Sequence, residues 1–284
     1  MKLLFLQFLY LYTVFTVYAD IYKPQQLRPY TRVVIFFDLD KVVLDEKSGL
    51  GKLWAALLAI PLKKSLPILL RQRKKLMKLV QEARHDGQKL KGLKANLDFI
   101  VEAEPSLKPY RAMLIDKLNG VKPRKKMISF LNALRTVGTP LIVATNNDYE
   151  SLRIKISKLN KKLHKEQISP FIYDAAFCAG SCPELIENKA PDGMPADFVY
   201  GGKDTDEYFR KFFEFVETEL GYDKDTTLFI YIDDLEKNIT RARHVAEREN
   251  VQLYAVHRNK SDKKIINEMR LLFSSVPIYG LAGV

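Results

Sequence analysis

The chain has 284 residues, of which 47% are hydrophobic and 28% charged, and its formal net charge is +12. These values exclude a disordered or repetitive protein and indicate a globular chain that can bury one large core and one small one. The positive charge is concentrated between residues 49 and 119, where fifteen lysines and arginines stand against six aspartates and glutamates.

The first nineteen residues differ from the rest. Lys2 precedes an almost wholly apolar run, which ends on Val17-Tyr18-Ala19 before Asp20. This is the pattern of a secretory signal peptide over residues 1–19, so we expect a secreted or periplasmic protein with no transmembrane span after signal removal. The alternative is an uncleaved N-terminal membrane anchor, although the run is a little short of the ~20 residues that span a bilayer.

The first predicted strand ends on two carboxylates. Residues 33–37 are an apolar run of Val, Ile and Phe, too short for most helices, which predicts a strand buried on both faces of a parallel sheet. Asp38 and Asp40 follow at its carboxyl end, where open α/β sheets place their sites. Two carboxylates held there repel each other unless a cation lies between them or one of them keeps its proton. A bound Mg²⁺ is the simplest solution, because it accepts oxygen ligands from carboxylates, phosphate and water.

A helical insertion follows this strand. From about Leu53 to Leu118 the apolar residues recur with helical spacing, interrupted by prolines and glycines, which predicts about four helices. The basic residues of this stretch alternate with apolar ones as on the polar face of an amphipathic helix, and no base-reading module accompanies them. We therefore expect the positive surface to draw a phosphorylated small-molecule or protein substrate, and we do not expect nucleic acid.

After residue 121 single strands alternate with helices, which predicts a doubly wound parallel α/β sheet. The strand over residues 141–144 ends on Thr145-Asn146-Asn147, whose hydroxyl and amide groups suit phosphate oxygens. The strand over 228–232 ends on Asp233-Asp234, and Asn238 follows it. Lys203 opens a helix between these two strands. Further strands are predicted at residues 172–177 and 251–256, and helices at 125–137, 148–162, 206–220 and 235–249.

Cys178 and Cys182 follow the strand predicted at 172–177, at the start of a proline-containing segment, residues 179–200, that we predict to be irregular. In an exported protein the two cysteines can form a local disulfide, and two thiols are the alternative. The four histidines are scattered along the sequence and supply no zinc ligand set with these cysteines.

The order of these motifs resembles that of the haloacid dehalogenase (HAD) superfamily. A strand with Asp-x-Asp, a strand with Thr, a lysine at a helix start and a strand with paired Asp occur in the family's order over roughly residues 33–256. The resemblance implies a HAD-like Rossmannoid core with the first strand central, and a first-type helical cap inserted after it. The implied division is a signal peptide over 1–19, the core over 20–48 and 121–284, and the cap over 49–120. The chain also resembles exported bacterial HAD-like proteins of unassigned function.

The resemblance implies roles for the motif residues. Asp38 would be the nucleophile that forms an aspartyl-phosphate. Asp40 would protonate the leaving alcohol and later activate water. Thr145 and the backbone of Asn146 would hold the phosphoryl oxygens, and Lys203 would balance the charge of the carboxylates and the phosphoryl group.

The implied metal ligands are Asp38, Asp40, Asp233 and Asp234. Asp234 is expected to bind directly, and Asp233 and Asn238 directly or through water. The four carboxylates would converge without enough cations of the protein itself, so Mg²⁺ is the expected cofactor.

The activity that the resemblance implies is Mg²⁺-dependent phosphomonoester hydrolysis, because phosphatases of this family carry the second aspartate, Asp40, and the haloacid-processing branch lacks it. Two positions depart from the family pattern: Lys41 stands where many relatives have glycine, and no proline follows Lys203. Neither departure removes a group that the chemistry needs. The alternative function is that of a non-catalytic HAD-like protein that binds a partner or an anionic surface through its basic cap.

Overall fold

The structure of the chain, a computed structural model, describes residues 30, 32–45, 101–102, 105–118, 121–147, 149–180, 196–200, 202–259 and 261–275. Its strands are β1 (Arg32–Phe37), β2 (Leu141–Thr145), β3 (Ala175–Gly180), β4 (Ala196–Tyr200), β5 (Thr227–Asp233) and β6 (Leu253–His257). Its α-helices are α1 (Arg111–Leu118), which follows a 3₁₀ helix (Pro105–Tyr110), α2 (Lys125–Thr136), α3 (Tyr149–Lys165), α4 (Asp206–Thr218), α5 (Glu236–Arg248) and α6 (Asp262–Ser275).

The strands form one parallel sheet in the order β4-β3-β2-β1-β5-β6. The strand β1 pairs with β2 on one side and with β5 on the other. The chain therefore builds outward from β1 on one side and then returns to build on the other, as in a doubly wound sheet. Such sheets bind ligands at the carboxyl ends of the strands where the building direction changes. The predicted α/β fold with a central first strand is confirmed.

Hydrophobic layers cover both faces of the sheet, because successive strand side chains point to opposite faces. On one face Ile35 and Phe37 pack with the apolar side of α2. On the other face Phe36 lies 4.2 Å from Phe212 of α4 and 4.5 Å from Tyr231 of β5, measured between ring centroids. The carboxyl end of β1 is thus fixed from both sides by close packing.

The helix α4 supplies most of the aromatic layer. It begins after Thr205, whose hydroxyl accepts a hydrogen bond from the backbone N–H of Tyr208 at 3.3 Å and so caps the helix. Its buried side chains follow helical spacing and are Tyr208, Phe209, Phe212, Phe213, Phe215 and Val216. The capped start of α4 comes two residues after Lys203, so this packing also fixes the position of that lysine.

The sequence did not predict β4 and α6, and the start of β3 differs from the prediction. The strand β4 lies within the segment 179–200, which we predicted to be irregular. The prediction was wrong because the apolar run of β4 is short and the prolines and glycine around it are typical of irregular segments. The strand predicted to begin at residue 172 begins at Ala175, since the carboxylate of Asp174 instead accepts a hydrogen bond from the backbone N–H of Leu141 at 3.0 Å. The helix α6 covers the sheet with Ile265 and Met269.

The chain leaves and re-enters the core at one place, around the insertion predicted at 49–120. The backbone N–H of Asp45 donates to the carbonyl of Lys122 at 2.7 Å, and that of Arg124 donates to Val43 at 2.9 Å. The carboxylate of Asp45 also forms ion pairs with Lys122 at 2.9 Å and Arg124 at 3.1 Å. The two connections of the insertion are therefore tied together at its base.

Several predicted features lie outside the described residues. They are the signal peptide, Cys182 with any disulfide it forms, and the cap apart from residues 101–102 and 105–118. Within the described ranges, no helix combines the length and apolar character needed to cross a membrane.

The packing around Phe36 generates a stability prediction. Phe36→Ala should lower the free energy of unfolding by about 3–5 kcal/mol, because it opens a cavity between α4 and β5 where Phe36 is fully buried. Leu271→Ala, at a side chain that is 71% exposed, is the control and should stay within about 0.5 kcal/mol of wild type. Urea unfolding followed by circular dichroism checks both, and a loss of the same size in both variants would contradict the packing described.

Candidate active site

Four carboxylates gather at the carboxyl edge of the sheet, at the ends of β1 and β5. These strands are paired in register up to Phe37 opposite Ile232, and the backbone N–H of Asp38 donates to the carbonyl of Ile232 at 2.9 Å. Asp38 therefore follows β1 next to Asp233, the last residue of β5. Asp40 and Asp234 follow in the two adjoining turns.

Lys203 connects the two strand ends. Its ammonium group lies 2.6 Å from Oδ1 of Asp38 and 2.9 Å from Oδ2 of Asp233, and its side chain is 1% exposed. Burial opposes the charge of this lysine, but the attraction of Asp233 and Asp38 outweighs it and raises the pKa of Lys203 above its usual value. Lys203 therefore contacts two of the carboxylates that the sequence analysis selected, and its role in balancing the charge of a phosphoryl group stays a prediction.

Asp233 is held by donors on both carboxylate oxygens. Its Oδ1 accepts from the backbone N–H of Leu235 at 2.9 Å and from Asn238 Nδ2 at 3.0 Å. Its Oδ2 accepts from the hydroxyl of Tyr231 at 2.5 Å as well as from Lys203. Burial raises the pKa of Asp233, but Lys203 and these hydrogen bonds outweigh burial, so the net pKa is lowered and the carboxylate is kept ionised.

Asp38 has the opposite electrostatic balance. Burial, together with the neighbouring charges of Asp233 and Asp40, raises its pKa to about 8 in spite of the ion pair with Lys203. A nucleophilic carboxylate needs its ionised form. A further cation beside Asp38 would therefore favour the reactive state at neutral pH.

Asp40 is bound by a lysine that the sequence analysis did not select. Lys155 of α3 is 2% exposed, and its ammonium group lies 2.6 Å and 2.7 Å from the two carboxylate oxygens of Asp40. Asn147 Nδ2 also donates to Asp40 at 3.1 Å and to the hydroxyl of Thr145 at 2.7 Å. The amide oxygen of Asn147 in turn accepts from Lys155 at 3.2 Å. Asp40 and Thr145 thus belong to one hydrogen-bonded group.

Thr145 and Asn146 lie at the end of β2, beside β1. The hydroxyl of Thr145 accepts from the backbone N–H of Asn147 at 3.1 Å, and its side chain is buried. The side-chain oxygen of Asn146 accepts from the backbone N–H of Lys203 at 3.0 Å. This contact ties the end of β2 to the turn before α4, so the residues predicted to hold phosphoryl oxygens adjoin the charge-balancing lysine.

Lys41 neutralises the fourth carboxylate. Its ammonium group lies 2.7 Å from Oδ2 of Asp234, and this hydrogen bond raises the pKa of Lys41 above its usual value. The backbone of Lys41 has φ +63°, a left-handed conformation that favours glycine. The residue that departs from the family pattern therefore occupies a strained position and pairs with the aspartate expected to bind metal directly.

The oxygen ligands present fit a magnesium ion, although fewer carboxylates are available than the sequence implied. Within the described part of the chain, no three His, Cys, Asp or Glu side chains form a group that could hold a metal ion. Both carboxylate oxygens of Asp233 and of Asp40 accept hydrogen bonds within the site, whereas the ion pairs of Asp38 and Asp234 are made by one oxygen each. Asp38 and Asp234 are both 13% exposed. Mg²⁺ commonly takes one or two carboxylates together with substrate phosphate and water, a requirement that these two residues can meet.

A signal for Lys155 exists in the sequence. The buried positions of α3 recur at Leu152, Leu159 and Leu163, and residue 155 falls on the same helical face. A lysine at an otherwise apolar position of an amphipathic helix needs a buried counter-ion, because an unpaired buried charge is costly. Asp40 is that counter-ion.

No protein-family model matches the sequence, and no curated protein is detectably similar to it. Solved structures do match. A HAD phosphatase from Thermococcus onnurineus has a TM-score of 0.50 and 15% sequence identity, covering 86% of this chain and 99% of its own. An L-2-haloacid dehalogenase from Xanthobacter autotrophicus has a TM-score of 0.43 and 13% identity, covering 87% and 84%. A 2-haloacid dehalogenase from Pseudomonas syringae pv. Tomato DC3000 has a TM-score of 0.45 and 15% identity, covering 81% and 88%.

The chain is an α/β protein with the fold of the haloacid dehalogenase superfamily. The resemblance seen in the order of the sequence motifs is thereby confirmed at the level of the fold. The further resemblance, to exported bacterial proteins, stays a prediction.

Removing Lys203 should leave the buried, ionised carboxylate of Asp233 without its cation, next to the carboxyl group of Asp38. We expect Lys203→Met to lower the free energy of unfolding by about 3–5 kcal/mol, the usual cost of removing one partner from a buried ion pair. The control is Lys211→Met, which removes an exposed contact with Glu214 and should cost at most about 1 kcal/mol. Denaturant titration at pH 7 checks the difference, and equal costs would show that Lys203 does not hold this edge together.

The raised pKa of Asp38 should appear in the pH dependence of stability. Because the folded protein holds this proton up to about pH 8 and the unfolded chain releases it near pH 3.8, stability contributed by Asp38 is lost as the pH rises through this window. The Asp38→Asn variant has no carboxyl group at this position, so it should not lose stability in this way as the pH rises. Without divalent cations, its free energy of unfolding should gain at least about 1 kcal/mol relative to wild type between pH 5 and 8.

Urea titrations in EDTA at several pH values measure this difference. Asp225→Asn, at an exposed aspartate, is the control and should follow the wild-type pH profile. A constant difference between Asp38→Asn and wild type over the whole range would contradict a raised pKa at Asp38.

Proposed function

We propose that the chain is a Mg²⁺-dependent phosphomonoester hydrolase that works through an aspartyl-phosphate on Asp38. The observation that carries this proposal is the second aspartate. Asp40 lies close enough to Asp38 for its charge to raise the pKa of Asp38, and it shares Asn147 with the hydroxyl of Thr145. A nucleophile, a candidate acid and base, and a candidate phosphoryl-binding hydroxyl therefore meet at one edge of the sheet.

The residues divide the chemistry between them. Asp38 attacks phosphorus while Asp40 donates a proton to the leaving oxygen, and Asp40 then takes a proton from the water that hydrolyses the aspartyl-phosphate. Thr145 and the backbone of Asn146 hold the phosphoryl oxygens. Lys203, whose ammonium group already lies 2.6 Å from Asp38, balances the negative charge of the phosphoryl group.

Asp38 and Asp234 would hold Mg²⁺, which supplies charge neutralisation for the nucleophile and the phosphoryl oxygens when bound. The lysine at position 41 competes for the same carboxylate of Asp234. Its ammonium group must move from Oδ2 of Asp234 if that oxygen is to bind a metal ion. It would then lie free beside the site, where it can attract the phosphate of the substrate.

The proposed location is secreted or periplasmic, with N-terminal membrane anchoring as the alternative, and it rests on the sequence pattern of residues 1–19. The proposed substrate is a phosphorylated small molecule or protein drawn by the basic cap.

The assigned roles of the two aspartates predict different losses of activity. Asp38→Asn should abolish turnover because no nucleophile remains, whereas Asp40→Asn removes only proton transfer and should lower kcat by about 10²–10⁴-fold. Purified mature protein would be assayed with Mg²⁺ against a panel of phosphomonoesters, with 2-halocarboxylic acids as a separate class. Asp225→Asn is the control and should retain wild-type activity.

If wild type hydrolyses no phosphomonoester with Mg²⁺, the phosphatase proposal fails. Release of halide from a 2-halocarboxylic acid would then indicate a dehalogenase. Inactivity toward both classes would favour the alternative, a HAD-like protein that binds a partner or an anionic surface through its basic cap.

The competition at Asp234 predicts opposite effects of two substitutions on Mg²⁺ binding. Asp234→Asn should raise the half-saturating Mg²⁺ concentration by about 10–100-fold. Lys41→Gly should lower it, because the substitution removes the competing ammonium group and suits the left-handed backbone. Thermal unfolding with increasing Mg²⁺, alone and with beryllium fluoride as a mimic of the acyl phosphate, measures binding without turnover.

Beryllium fluoride should stabilise wild type in the presence of Mg²⁺ and leave Asp38→Asn unchanged. A Lys41→Gly variant that needs more Mg²⁺ than wild type would contradict the competition.

A further inference from the structure

Lys155 is a charged side chain inside the core that the family resemblance does not account for. It comes from α3, which packs Leu152, Leu159 and Leu163 into the hydrophobic layer, yet residue 155 on the same face is a lysine that is 2% exposed. Its ammonium group lies 2.6 Å and 2.7 Å from the two oxygens of Asp40, whose side chain is 30% exposed. Of the two partners in this ion pair, the lysine is buried and the carboxylate faces the site.

We propose that Lys155 is a positioning residue for catalysis, which fixes the carboxylate of Asp40 at the distance and angle that proton transfer requires. The inference rests on the proposed phosphatase function, in which Asp40 handles the proton. Lys155 contacts the carboxylate of Asp40 and the amide oxygen of Asn147. It acts through Asp40.

The geometry restrains Asp40 in two directions. Contact with both oxygens from one buried ammonium group limits rotation of the carboxylate, since turning it would lose one of the two short hydrogen bonds. Asn147 restrains it a second time, because Nδ2 donates to Asp40 Oδ2 at 3.1 Å and its Oδ1 accepts from Lys155 at 3.2 Å.

The same network relates Asp40 to the phosphoryl-binding residues. Asn147 Nδ2 also donates to the hydroxyl of Thr145 at 2.7 Å, and the backbone N–H of Asn147 donates to that hydroxyl at 3.1 Å. Asn147 therefore fixes the distance between the carboxylate that transfers the proton and the hydroxyl that holds the phosphoryl group. Lys155 contacts both Asp40 and Asn147 from the buried side. A displacement of about 1 Å in such a group can cost about 10²-fold in rate.

The test is a double-mutant cycle between Lys155 and Asp40, with turnover as the readout. Lys155→Met keeps the length of the side chain and removes its charge. With alkyl phosphomonoesters, whose leaving groups need a proton, it should lower kcat by about 10–100-fold and change KM by less than about threefold. With 4-nitrophenyl phosphate, whose leaving group needs no proton, the loss should be smaller. In an Asp40→Asn background, Lys155→Met should cause no further loss, because the carboxylate that it positions is absent.

The control is Lys161→Met, an exposed lysine on the same helix, which should behave as wild type. Lys155→Gln, which keeps a hydrogen-bond donor, is the second variant should Lys155→Met not fold, and its loss should depend on the leaving group in the same way. The double variant Lys155→Met with Asp40→Asn has no charged group at either position. Its activity can therefore be measured even if Lys155→Met alone does not fold.

Three results would overturn the inference while leaving the phosphatase function intact. They are an unchanged kcat in the Lys155 variants, a loss that is equal for alkyl and 4-nitrophenyl substrates, and a loss in the Asp40→Asn background as large as in wild type. The last two would show that Lys155 supports the fold alone. A wild-type protein without phosphatase activity is a different outcome, which refutes the proposed function and this inference with it.

Discussion

The position of the Lys203 ammonium group between two buried carboxylates is the interaction on which the rest of the site depends. Asp38 and Asp233 end adjacent strands paired in register, so the sheet itself forces their charges together. A single ammonium group, 2.6 Å from one and 2.9 Å from the other, turns this repulsion into a bridge. Without it, the buried carboxylate of Asp233 would face Asp38 with no ammonium group between them.

The hydrophobic core and the acidic edge are coupled through Tyr231. Its ring stacks on Phe36 with centroids 4.5 Å apart, and its hydroxyl donates to Asp233 at 2.5 Å. The side chain therefore packs as part of the aromatic layer and also serves as a polar donor. Because the layer fixes the ring, it also fixes the direction from which Asp233 is held. The aromatic residues of α4 thus contribute to the geometry of the charged groups through Tyr231, whose ring centroid lies 5.5 Å from that of Phe209.

The sequence predicted the fold and the motif residues because each strand signal is local. Residues 33–37 and 228–232 are apolar runs that end on acidic pairs, and parallel strands bring such ends to one edge. The partners of those carboxylates were harder to predict. Lys155 lies 115 positions from Asp40 and Lys41 lies 193 positions from Asp234, so these pairs exist only after the sheet has formed. Local periodicity also missed β4, whose pairing with β3 outweighs the prolines and glycine around it.

The lysines also set the charge of the site. Among the described residues, the four aspartates of this edge pair with three ammonium groups. Asp38 and Asp233 share Lys203, Asp40 pairs with Lys155, and Asp234 pairs with Lys41. When Asp38 is ionised, as its reactive state requires, the edge keeps one negative charge, which opposes a phosphate dianion. A divalent cation would reverse the sign to one positive charge and so favour that ligand. The protein's own cations are therefore sufficient for the acidic edge to fold. They leave the edge one charge too negative to attract a phosphoryl group, which is why the proposed chemistry calls for Mg²⁺ at Asp38 and Asp234.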